Sequence, residues 1–554
     1  MAYSKTPEND TYSSVRVPLL ADITYDKVSL FHDNVSHHGG YTTGMTNVLP
    51  FKRKTINGQE EIVGITRYGI KSGYVAEGFC RGIHVWEKSP GVVYIFVVVS
   101  TGGNGHYQVY STNDVNYPWN LLIDFTTNTP NVPVRFEEFI TSASVKSLIV
   151  TDGFDGYVIT DHLTATKITD PDFPTPHVPF PVFLNGRLYL AKKGTGDIYC
   201  SDLDHPETWT PGNFISSEVY PDDVKALVKV NNYILAIGKE GSEFFYDAAI
   251  ATGSPLARYE GASLPFGTIF PDTIASTKDS VVLLATTSDG ESILKYVEGF
   301  NHTDLPDTFY VNQLNMIRSG GGVTPVVPNR FIGYFFRQRG KMFYVLTFDQ
   351  ADEYAAAAFP TFCYSFDTQL WTFLSISRNN EKEDYTDYGF PVTHTAPTSG
   401  VSNVTYVGGR LNGLVFFGSM SAIHTGYDSM PINNDPLEFS NYYWYVNRIC
   451  MSGNDFGTMN KKAINRIGVA SFNVQDDEAT KENGLLPKLS WSFTRPANAV
   501  YEHSRMLDSN TSVASGEFPF ITQVGTGREI WVMLETYGSN IFHHLEFDIN
   551  KGQQ

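Results

Sequence analysis

Short runs of apolar, β-branched and aromatic residues recur along the chain, each preceded by a polar or glycine-bearing turn. Seven such segments are SPGVVYIFVVV, VKSLIVTD, NGRLYLA, NNYILAIG, DSVVLLAT, RGKMFYVLTF and GGRLNGLVFFG. Their reference positions are Val92, Ser147, Leu188, Tyr233, Val281, Phe343 and Leu414, which gives spacings of 55, 41, 45, 48, 62 and 71 residues. The middle spacings match the ~40–50 residues of one four-stranded propeller blade, and the longer ones require insertions. The pattern therefore predicts an all-β chain built around a β-propeller.

A second apolar run often follows the first after a glycine-bearing turn. SEFFYD follows AIGKEG in this way, and SILKYV follows TTSDGE. Paired runs of this kind are typical of β-hairpins. They support the assignment of each segment to a blade made of antiparallel strands.

The pattern changes after about Asp428, where the apolar segments become longer. They are FSNYYWYVNRICM, AINRIGVASF, LPKLSWSFTRP, EIWVMLETYG and IFHHLEFDI. These segments predict a separate C-terminal domain that resembles a β-sandwich. The first ~50 residues show no clear period, as expected for an arm or for edge strands. We therefore divide the chain into residues 1–60, 61–428 and 429–554.

Composition narrows the range of functions. A hydrophobic content of 42% and an aromatic content of 14% exclude a disordered chain, because so much apolar surface forms a core. The net charge of −19 is opposite to what a protein that grips DNA phosphates needs. We expect DNA to pass beside this protein without being held by a basic surface. The N-terminus lacks the features of a signal peptide, and the longest apolar run, residues 92–99, is too short to span a bilayer.

The four cysteines, Cys80, Cys200, Cys363 and Cys450, are far apart and form no CxxC pair. That spacing argues against a disulfide framework and against a structural zinc site. We expect reduced, buried thiols.

Two acidic segments are candidate sites. DGFDG, residues 152–156, has two carboxylates in a glycine turn but lacks the further oxygen ligands of a calcium loop, so we interpret it as a turn. SDLDHPETW, residues 201–209, groups Asp202, Asp204, His205 and Glu207. Asp, Pro and Trp are also the residues of a loop that closes a blade, with Trp209 packed on the next blade. We favour that structural role over a metal or acid–base cluster.

Histidine pairs and basic clusters are the other candidates. His37-His38 and His543-His544 are adjacent residues, which point to opposite faces of a strand, so neither pair is placed to chelate one ion. We expect them at the surface or in a subunit interface. RQRGK, residues 337–341, and KRK, residues 52–54, could contact phosphate, but a solvated hairpin tip or an intersubunit salt bridge is the favoured interpretation.

Motifs for common enzymes are missing from the sequence. No GxSxG, GxxxxGK[ST] or GxGxxG stretch occurs, and TSDGES, residues 287–292, lacks the Thr-Trp that would complete a sialidase aspartate box. We therefore predict no catalytic residue, no cofactor and no metal. A glycan-cleaving propeller would need two carboxylates that face each other across a cleft, or an arginine cluster for acidic sugars.

A series of segments in a fixed order resembles the packaged-DNA stabilisation proteins of short-tailed bacteriophages, also called tail hub or nozzle proteins. The series begins with RGIHVWEKSPGVVYIF and VKSLIVTDGFDGYVIT and continues with ITDPDFP, FLNGRLYLA, GDIYCSDLDHPETW, SSEVYPDDVKALVKVNNYILAIGKEGSEFFYD and GASLPFGTIFPDTIA. The resemblance covers residues 81–299 well and the remainder in outline. Near the C-terminus, Ser492, Phe493 and Thr494 stand where the family commonly has an Asp-Gly turn.

The resemblance implies a β-propeller subunit of a virion tail, assembled in the host cytoplasm. It implies a homohexameric ring below the portal and adaptor that meets tail fibres, spikes or a needle and lets genomic DNA through its lumen. Two alternatives remain open: a phage tail propeller that binds or hydrolyses host surface glycans, and a lectin-like propeller outside any virion, which the lack of a signal peptide disfavours.

Overall fold

The structure is a computed structural model of the whole chain. It describes residues 13–18, 44–54, 57–101, 106–113, 119–125, 134–220, 222–250, 252–286, 292–306, 331–348, 361–378, 386–397, 404–411, 414–425, 427–429, 442–444, 446–454, 456, 461–473, 487–494, 501–507, 520–537 and 540–551. In these residues the only helix is one 3-10 turn, Pro271–Thr273, and everything else is strand, turn or extended chain. The all-β prediction is confirmed.

Five strands precede the first blade, and their partners lie far along the chain. They are β1 Ser13–Pro18, β2 Gly44–Thr46, β3 Val48–Lys54, β4 Glu60–Thr66 and β5 Tyr68–Glu77. Four of them join sheets formed with C-terminal strands, and β5 joins the last blade.

The blades are four-stranded antiparallel sheets that follow one another along the chain. Blades 1 to 3 consist of β6 Phe79–Ser89, β7 Val92–Thr101, β8 His106–Thr112 and β9 Asn120–Phe125; β10 Arg135–Ile140, β11 Lys146–Thr151, β12 Gly156–Asp161 and β13 Thr164–Lys167; and β14 Val182–Leu184, β15 Arg187–Ala191, β16 Asp197–Asp202 and β17 His205–Ser216. Blades 4 and 5 consist of β18 Ala226–Val230, β19 Tyr233–Ile237, β20 Ser242–Asp247 and β21 Leu256–Leu264; and β22 Ala275–Ser276, β23 Ser280–Thr286, β24 Ser292–Glu298 and β25 Asn301–Asp304.

Blades 6 and 7 are built less locally. Blade 6 contains β26 Phe331–Gln338, β27 Lys341–Phe348, β28 Thr361–Ser365 and β29 Trp371–Arg378, with β30 Thr386–Gly389 paired to β29. Blade 7 contains β31 Val392–Pro397, β32 Thr405–Leu411 and β33 Leu414–Thr425, and its fourth strand is β5 from the start of the chain. The first strand of each blade lies against the first strand of the next, and β31 lies against β6, so the described residues form a closed ring of seven blades.

Apolar residues run without alternation through the second strands of the blades. In β7, residues 95–99 are all buried, and in β15 so are Leu188, Tyr189, Leu190 and Ala191. A blade has a neighbouring blade on each face, so both faces of its inner strands are covered, and the strand becomes a continuous hydrophobic run. This is why the seven sequence segments could be recognised.

Two-residue turns join several of the first and second strands. Asn185 and Gly186 have φ values of 49° and 78°, and Arg339 and Gly340 have 51° and 75°. Two consecutive positive φ values define the turn whose twist matches a hairpin, and glycine reaches the second position without steric cost.

The remaining strands follow blade 7, and most of them form a β-sandwich with strands from the start of the chain. They are β34 Tyr427–Ser429, β35 Tyr442–Trp444, β36 Val446–Asn454, β37 Lys462–Asn473, β38 Lys488–Ser492, β39 His503–Met506, β40 Phe520–Gly527, β41 Ile530–Tyr537 and β42 Asn540–Lys551. Of these, β34 and β35 extend the sheet of blade 7, while β2, β36, β41, β38 and β39 extend the sheet of blade 6. A second sheet combines β3, β4, β42, β37 and β40, with β1 paired to β42. Residues such as Ile449, Leu489, Ile467 and Leu545 fill the core between these sheets.

The division of the chain at residues 60 and 428 stays a prediction. Segments before residue 66 contribute β1, β3 and β4 to the sheet of C-terminal strands, so the sandwich draws on both ends of the chain. No helix in the described residues is long and apolar enough to cross a membrane.

Candidate functional site

The first strands of the blades enclose a small cavity on the propeller axis. Its volume is about 190 Å³, and β6, β10, β26, β31 and the 3-10 turn line it. The charged or titratable residues among the lining are Arg81, His84, Arg135, Asp272, Tyr334 and His394. A space of this size holds a few water molecules or one small ligand. A DNA duplex cannot pass along the axis of a single propeller.

The two arginines of the cavity lie against aromatic rings. The guanidinium of Arg81 is 4.9 Å from the centre of the Phe79 ring, and that of Arg135 is 4.0 Å from the centre of the Phe180 ring. Such stacking fixes the position of a guanidinium. Phe180 lies in the connection between blades 2 and 3, so the Arg135 contact also joins neighbouring blades.

Carboxylates near the axis do not form an opposed pair. Asp272 is the one carboxylate that lines the cavity within the described part of the chain. The Glu138 carboxylate lies 3.6 Å from Nε2 of His84, and Glu137 accepts a hydrogen bond of 2.9 Å from the backbone N–H of Phe183. Burial raises the pKa of Glu137 to about 7. Glycoside hydrolysis requires two carboxylates across a cleft, and the described lining of the cavity supplies one.

The first acidic segment, DGFDG, forms a turn. Asp152 is buried, and its Oδ1 accepts hydrogen bonds of 2.8 Å from the backbone N–H groups of Phe154 and Asp155. Asp155 instead pairs with the Lys167 ammonium at 2.8 Å. The two carboxylates therefore have different partners, and the first is an acceptor that closes the turn.

The acidic residues of the second segment, SDLDHPETW, do not converge on one point. Asp202 accepts a hydrogen bond of 2.8 Å from the Thr210 hydroxyl, and Asp204 accepts hydrogen bonds from the backbone N–H and the hydroxyl of Ser142 in blade 2. His205 and Glu207 form an exposed pair at 3.1 Å. No group of three His, Cys, Asp or Glu residues suited to a metal ion occurs within the described residues.

Trp209, at the end of that segment, is 4% exposed. Its ring meets that of Phe173 edge to face at 5.3 Å, in a cluster that includes Phe139 and Ile149 of blade 2. The expectation that Trp209 packs on the next blade is wrong in direction, because the tryptophan packs toward the preceding blade. The fourth strand of blade 3 starts beside the connection that arrives from blade 2. This places the Trp209 ring against that connection.

The described histidine pair has two different partners. His543 lies 3.7 Å from Glu61 and His544 lies 3.5 Å from Glu546, as expected for adjacent residues on a strand. Burial lowers the pKa of His543. His37-His38 lies outside the described residues, and so does 287–291, most of the TSDGES segment.

Both basic clusters lie near the junction of blade 6 with the sandwich. In RQRGK, Gln338 is fully buried, the turn is Arg339-Gly340, and Lys341 pairs with Asp367 at 2.7 Å. In KRK, all three side chains are exposed, and the backbone N–H of Lys52 donates to Asp367 at 3.0 Å. The one carboxylate of Asp367 therefore links both segments.

The four cysteines form no disulfide and are buried, which confirms the expectation of buried thiols. Burial raises the pKa of Cys200 to about 11 and that of Cys450 to about 12. These thiols are not activated nucleophiles, because only the thiolate reacts.

A buried polar cluster, which we call the junction cluster, was not predicted from the sequence. It consists of Asn47, Arg67, Gln338, Ser375 and Asp428. The Arg67 guanidinium donates to both Asp428 oxygens, at 2.9 and 2.6 Å, and to the backbone oxygen of Ser375 at 3.0 Å. Gln338 donates to the backbone oxygen of Thr66 at 2.9 Å. The cluster joins blades 6 and 7 to the strands that precede blade 1.

No local signal marks the junction cluster, since its members are spread from position 47 to position 428. A single Arg between two strands and a single Asp after a third are ordinary surface residues until the fold brings them together. The side chains of the junction cluster are buried. Their polar groups form hydrogen bonds to one another or to neighbouring backbone groups, as buried polar groups must.

Comparison with solved structures finds propellers of low similarity. Selenomethionine-substituted virginiamycin B lyase from Staphylococcus aureus gives a TM-score of 0.36 at 9% identity, covering 64% of this chain and 99% of the lyase. The α-L-arabinanase of Penicillium chrysogenum complexed with arabinobiose gives 0.32 at 11% identity, covering 63% and 98%. TM-scores this low carry no argument about activity. Comparison with curated proteins found no match.

One family model matches the sequence. Residues 35–306 match the model Phage_stabilise, described as bacteriophage P22 Gp10, beta-propeller. The match begins before the first blade and ends at the close of blade 5. Its description agrees with the propeller seen in the structure and with the resemblance found in the sequence. Over these residues, 272 of the 554, the chain matches the Phage_stabilise family, and the match supports the tail nozzle or DNA-stabilisation proteins of short-tailed bacteriophages.

Proposed function

We propose that this chain is a structural subunit of the virion tail, a hub or nozzle protein that forms a ring below the portal and adaptor, retains packaged DNA and conducts it during ejection. The family match over residues 35–306 is the observation that carries this proposal. The ring is a homohexamer that also meets tail fibres or spikes and a needle or plug. It assembles in the host cytoplasm.

Rigidity of the subunit supports this role. Neighbouring blades are tied by hydrogen bonds between turns: Asn185 donates to Asp247 at 2.8 Å, and the backbone N–H of Asn231 donates to the Lys278 oxygen at 2.8 Å. The junction cluster locks blades 6 and 7 to the start of the chain. A subunit of this kind holds its loops at fixed places, which a ring closed by heterologous contacts requires.

The DNA passage lies between copies and not through a propeller. The axial cavity of about 190 Å³ cannot admit a duplex, so the lumen is the central space that the copies surround. Each copy has a net charge of −19, which disfavours a lumen wall that binds DNA by releasing the counterions of its phosphates. Genomic DNA therefore passes without sequence-specific binding.

Imaging of the purified chain and of the virion tests the proposal. Negative-stain class averages of the purified chain should show annular particles with six copies around an open axis, and an antibody against the chain should label the tail of intact virions. A chain that remains monomeric at high concentration, together with virions that carry no antibody label, would contradict the proposed role.

The subunit acts without catalysis in this proposal. Incubation of the purified chain with capsular and lipopolysaccharide glycans of the host should release no reducing ends. Measurable release, lost on substitution of Asp272 by Asn, would instead support the glycan-cleaving alternative.

A further inference from the structure

The turns between the third and fourth strands of the blades share a chemical pattern. In five consecutive blades, 2 to 6, a carboxylate is followed within three residues by a large apolar residue. The pairs are Asp161 and Leu163, Asp202 and Leu203, Asp247 and Ile250, Glu298 and Phe300, and Asp367 and Leu370. Antiparallel strands place all of these turns on the same face of the propeller, together with the turns between first and second strands.

The apolar members of this pattern are exposed in blades 2 to 5. Leu163 is 62% exposed, Leu203 54%, Ile250 46% and Phe300 37%. The four turns carry five carboxylates and no Lys or Arg among their described residues. We call these four turns the acidic turn row. Single exposed apolar residues are ordinary, but a row of them on one face with charges of one sign marks an interaction surface.

Hydrogen bonds hold several carboxylates of the row in place and lower the pKa of two of them. Hydrogen bonds from Ser142 lower the pKa of Asp204, and a bond from the backbone N–H of Leu163 lowers that of Asp161. Asp247 accepts from the backbone N–H of Ala249 at 2.8 Å. These contacts shape the turns so that the apolar side chain projects while the charge stays beside it.

In blade 6 the same pattern is already covered by the sandwich. Asp367 accepts a hydrogen bond from the backbone N–H of Lys52 in β3, and Leu370 packs on the sandwich core. Burial would raise the pKa of Asp367, but the bonds from Lys341 and Lys52 outweigh it and lower the pKa. The chain therefore contains one example of how such a turn is covered: a backbone N–H of a β-sheet domain bonds to the carboxylate, and the apolar core of that domain packs on the apolar residue.

A complementary surface lies on the other side of the sandwich. The two strands at this edge, β38 and β39, carry Lys488 and Arg505 and no Asp or Glu, although the whole chain is acidic. The strand β39 is the outer strand of its sheet, and all four of its residues are exposed. Met506 is 61% exposed and stands beside Arg505, opposite Lys488 in the register. An exposed edge strand of this type readily receives a partner.

We propose that the acidic turn row of blades 2 to 5 docks on the β39 edge of a second copy of this chain. The inference rests on the proposed ring and names its subunit contact. The two surfaces are different, so the contact is heterologous, and repetition of a heterologous contact whose rotation closes gives a ring rather than a two-fold pair. Leu163, Leu203 and Ile250 supply the apolar contact, and Arg505 and Lys488 meet the carboxylates of the row.

Two variants test the assignment. The row variant is Leu163→Ser/Leu203→Ser/Ile250→Ser, and the edge variant is Arg505→Ser/Met506→Ser. Because these side chains are exposed, both variants should keep the wild-type circular dichroism spectrum and melting temperature. In native mass spectrometry both should be monomeric at concentrations where the wild type forms rings, with assembly weakened roughly tenfold or more. The matched control is Val219→Ser/Ile269→Ser, which removes two residues, 46% and 38% exposed, from the opposite face and should assemble normally.

Mixing the two variants gives the sharpest readout. Each retains one intact surface, so a 1:1 mixture should form a species of twice the 61.8 kDa chain mass and nothing larger. If wild type forms rings and the row variant does too, the turn-row assignment is wrong while the proposed ring stands. Disruption by the opposite-face control would also overturn it. A wild type that never assembles contradicts the second-copy contact and the proposed ring together, and labelling of the virion tail then still tests the tail location on its own.

Discussion

Arg67 and Asp428 form a doubly hydrogen-bonded ion pair across 361 residues of sequence, and neither side chain is exposed to solvent. Arg67 lies between β4 and β5, and Asp428 lies on β34 beyond the last blade. The Asp428 carboxylate also accepts the backbone N–H of Ile70 at 2.8 Å. The pair therefore holds β5 where it serves as the fourth strand of blade 7, and so it helps to close the propeller.

Removal of one partner should be strongly destabilising. Asp428→Ala leaves the Arg67 guanidinium buried without its counter-charge, and we expect a loss of about 3–5 kcal/mol in the free energy of unfolding. Urea denaturation followed by tryptophan fluorescence measures the change. The control is Glu240→Ala, which removes the exposed Lys239–Glu240 pair at 3.8 Å and should cost less than about 1 kcal/mol. Equal effects of the two substitutions would refute the role assigned to the buried pair.

The sequence predicted the blades because a blade is a local structure. The seven reference positions correspond to the seven blades, and six of them lie on second strands; Leu414 lies on the third strand of blade 7. Blade 7 could not be delimited from its own segment, because its fourth strand, β5, comes from more than 300 residues earlier. The hydrophobic pattern reports which residues are covered and not which distant strand covers them.

The junction cluster and the acidic turn row show the same limit. The turn pattern of an acidic residue followed by an apolar one is present in the sequence, but its meaning depends on all the turns lying on one face. SDLDHPETW forms the hairpin of β16 and β17, with Leu203 and Asp204 in its turn. Leu203 is exposed in that turn, and the sequence alone does not distinguish an exposed leucine from a buried one.

Trp209 should be a main support of the contact between blades 2 and 3. Trp209→Ala opens a cavity beside Phe173 and removes a ring that is 4% exposed, so we expect a loss of about 3–5 kcal/mol in unfolding free energy. Differential scanning calorimetry measures it. Phe214→Ala, which removes an aromatic ring 40% exposed on the same strand, is the control with an expected loss below about 1.5 kcal/mol. A Trp209→Ala chain as stable as the control would show that this contact is dispensable.

Asp152 should stabilise its turn without a metal ion. Asp152→Ala leaves the N–H groups of Phe154 and Asp155 without their acceptor, at a cost of about 1–3 kcal/mol. Asp155→Ala, which removes a partly exposed pair with Lys167, should cost less than about 1 kcal/mol. Addition of calcium or EDTA should leave the melting temperature of the wild type unchanged. A rise of the melting temperature in calcium that Asp152→Ala abolishes would instead indicate a calcium loop.

Burial of the cysteines predicts slow thiol chemistry. In urea, a disulfide reagent should modify all three of Cys200, Cys363 and Cys450. Over the same time it should modify none of them in the native chain, because burial raises the pKa of each thiol. Absorbance of the released thiolate measures the rate. Rapid reaction of a native thiol, mapped by peptide mass spectrometry, would identify a segment that opens.

Glu137 should make the stability of the propeller depend on pH. Burial raises its pKa in the folded chain to about 7, against 4.5 for an ordinary glutamate. Between these values the folded state keeps a proton that the unfolded chain has lost, so this group's stabilisation is complete below pH 4.5 and is lost as the pH rises through 7.

Glu137→Gln should remove this dependence of stability on pH. Because the side chain is partly accessible, we expect the variant to be more stable than wild type by only about 1–2 kcal/mol at pH 8.5 and equally stable at pH 4.5. Urea midpoints at the two pH values measure the difference, with Glu138→Gln as the control on the same strand. A difference that is the same at both pH values would show that the Glu137 carboxylate ionises normally in the folded chain.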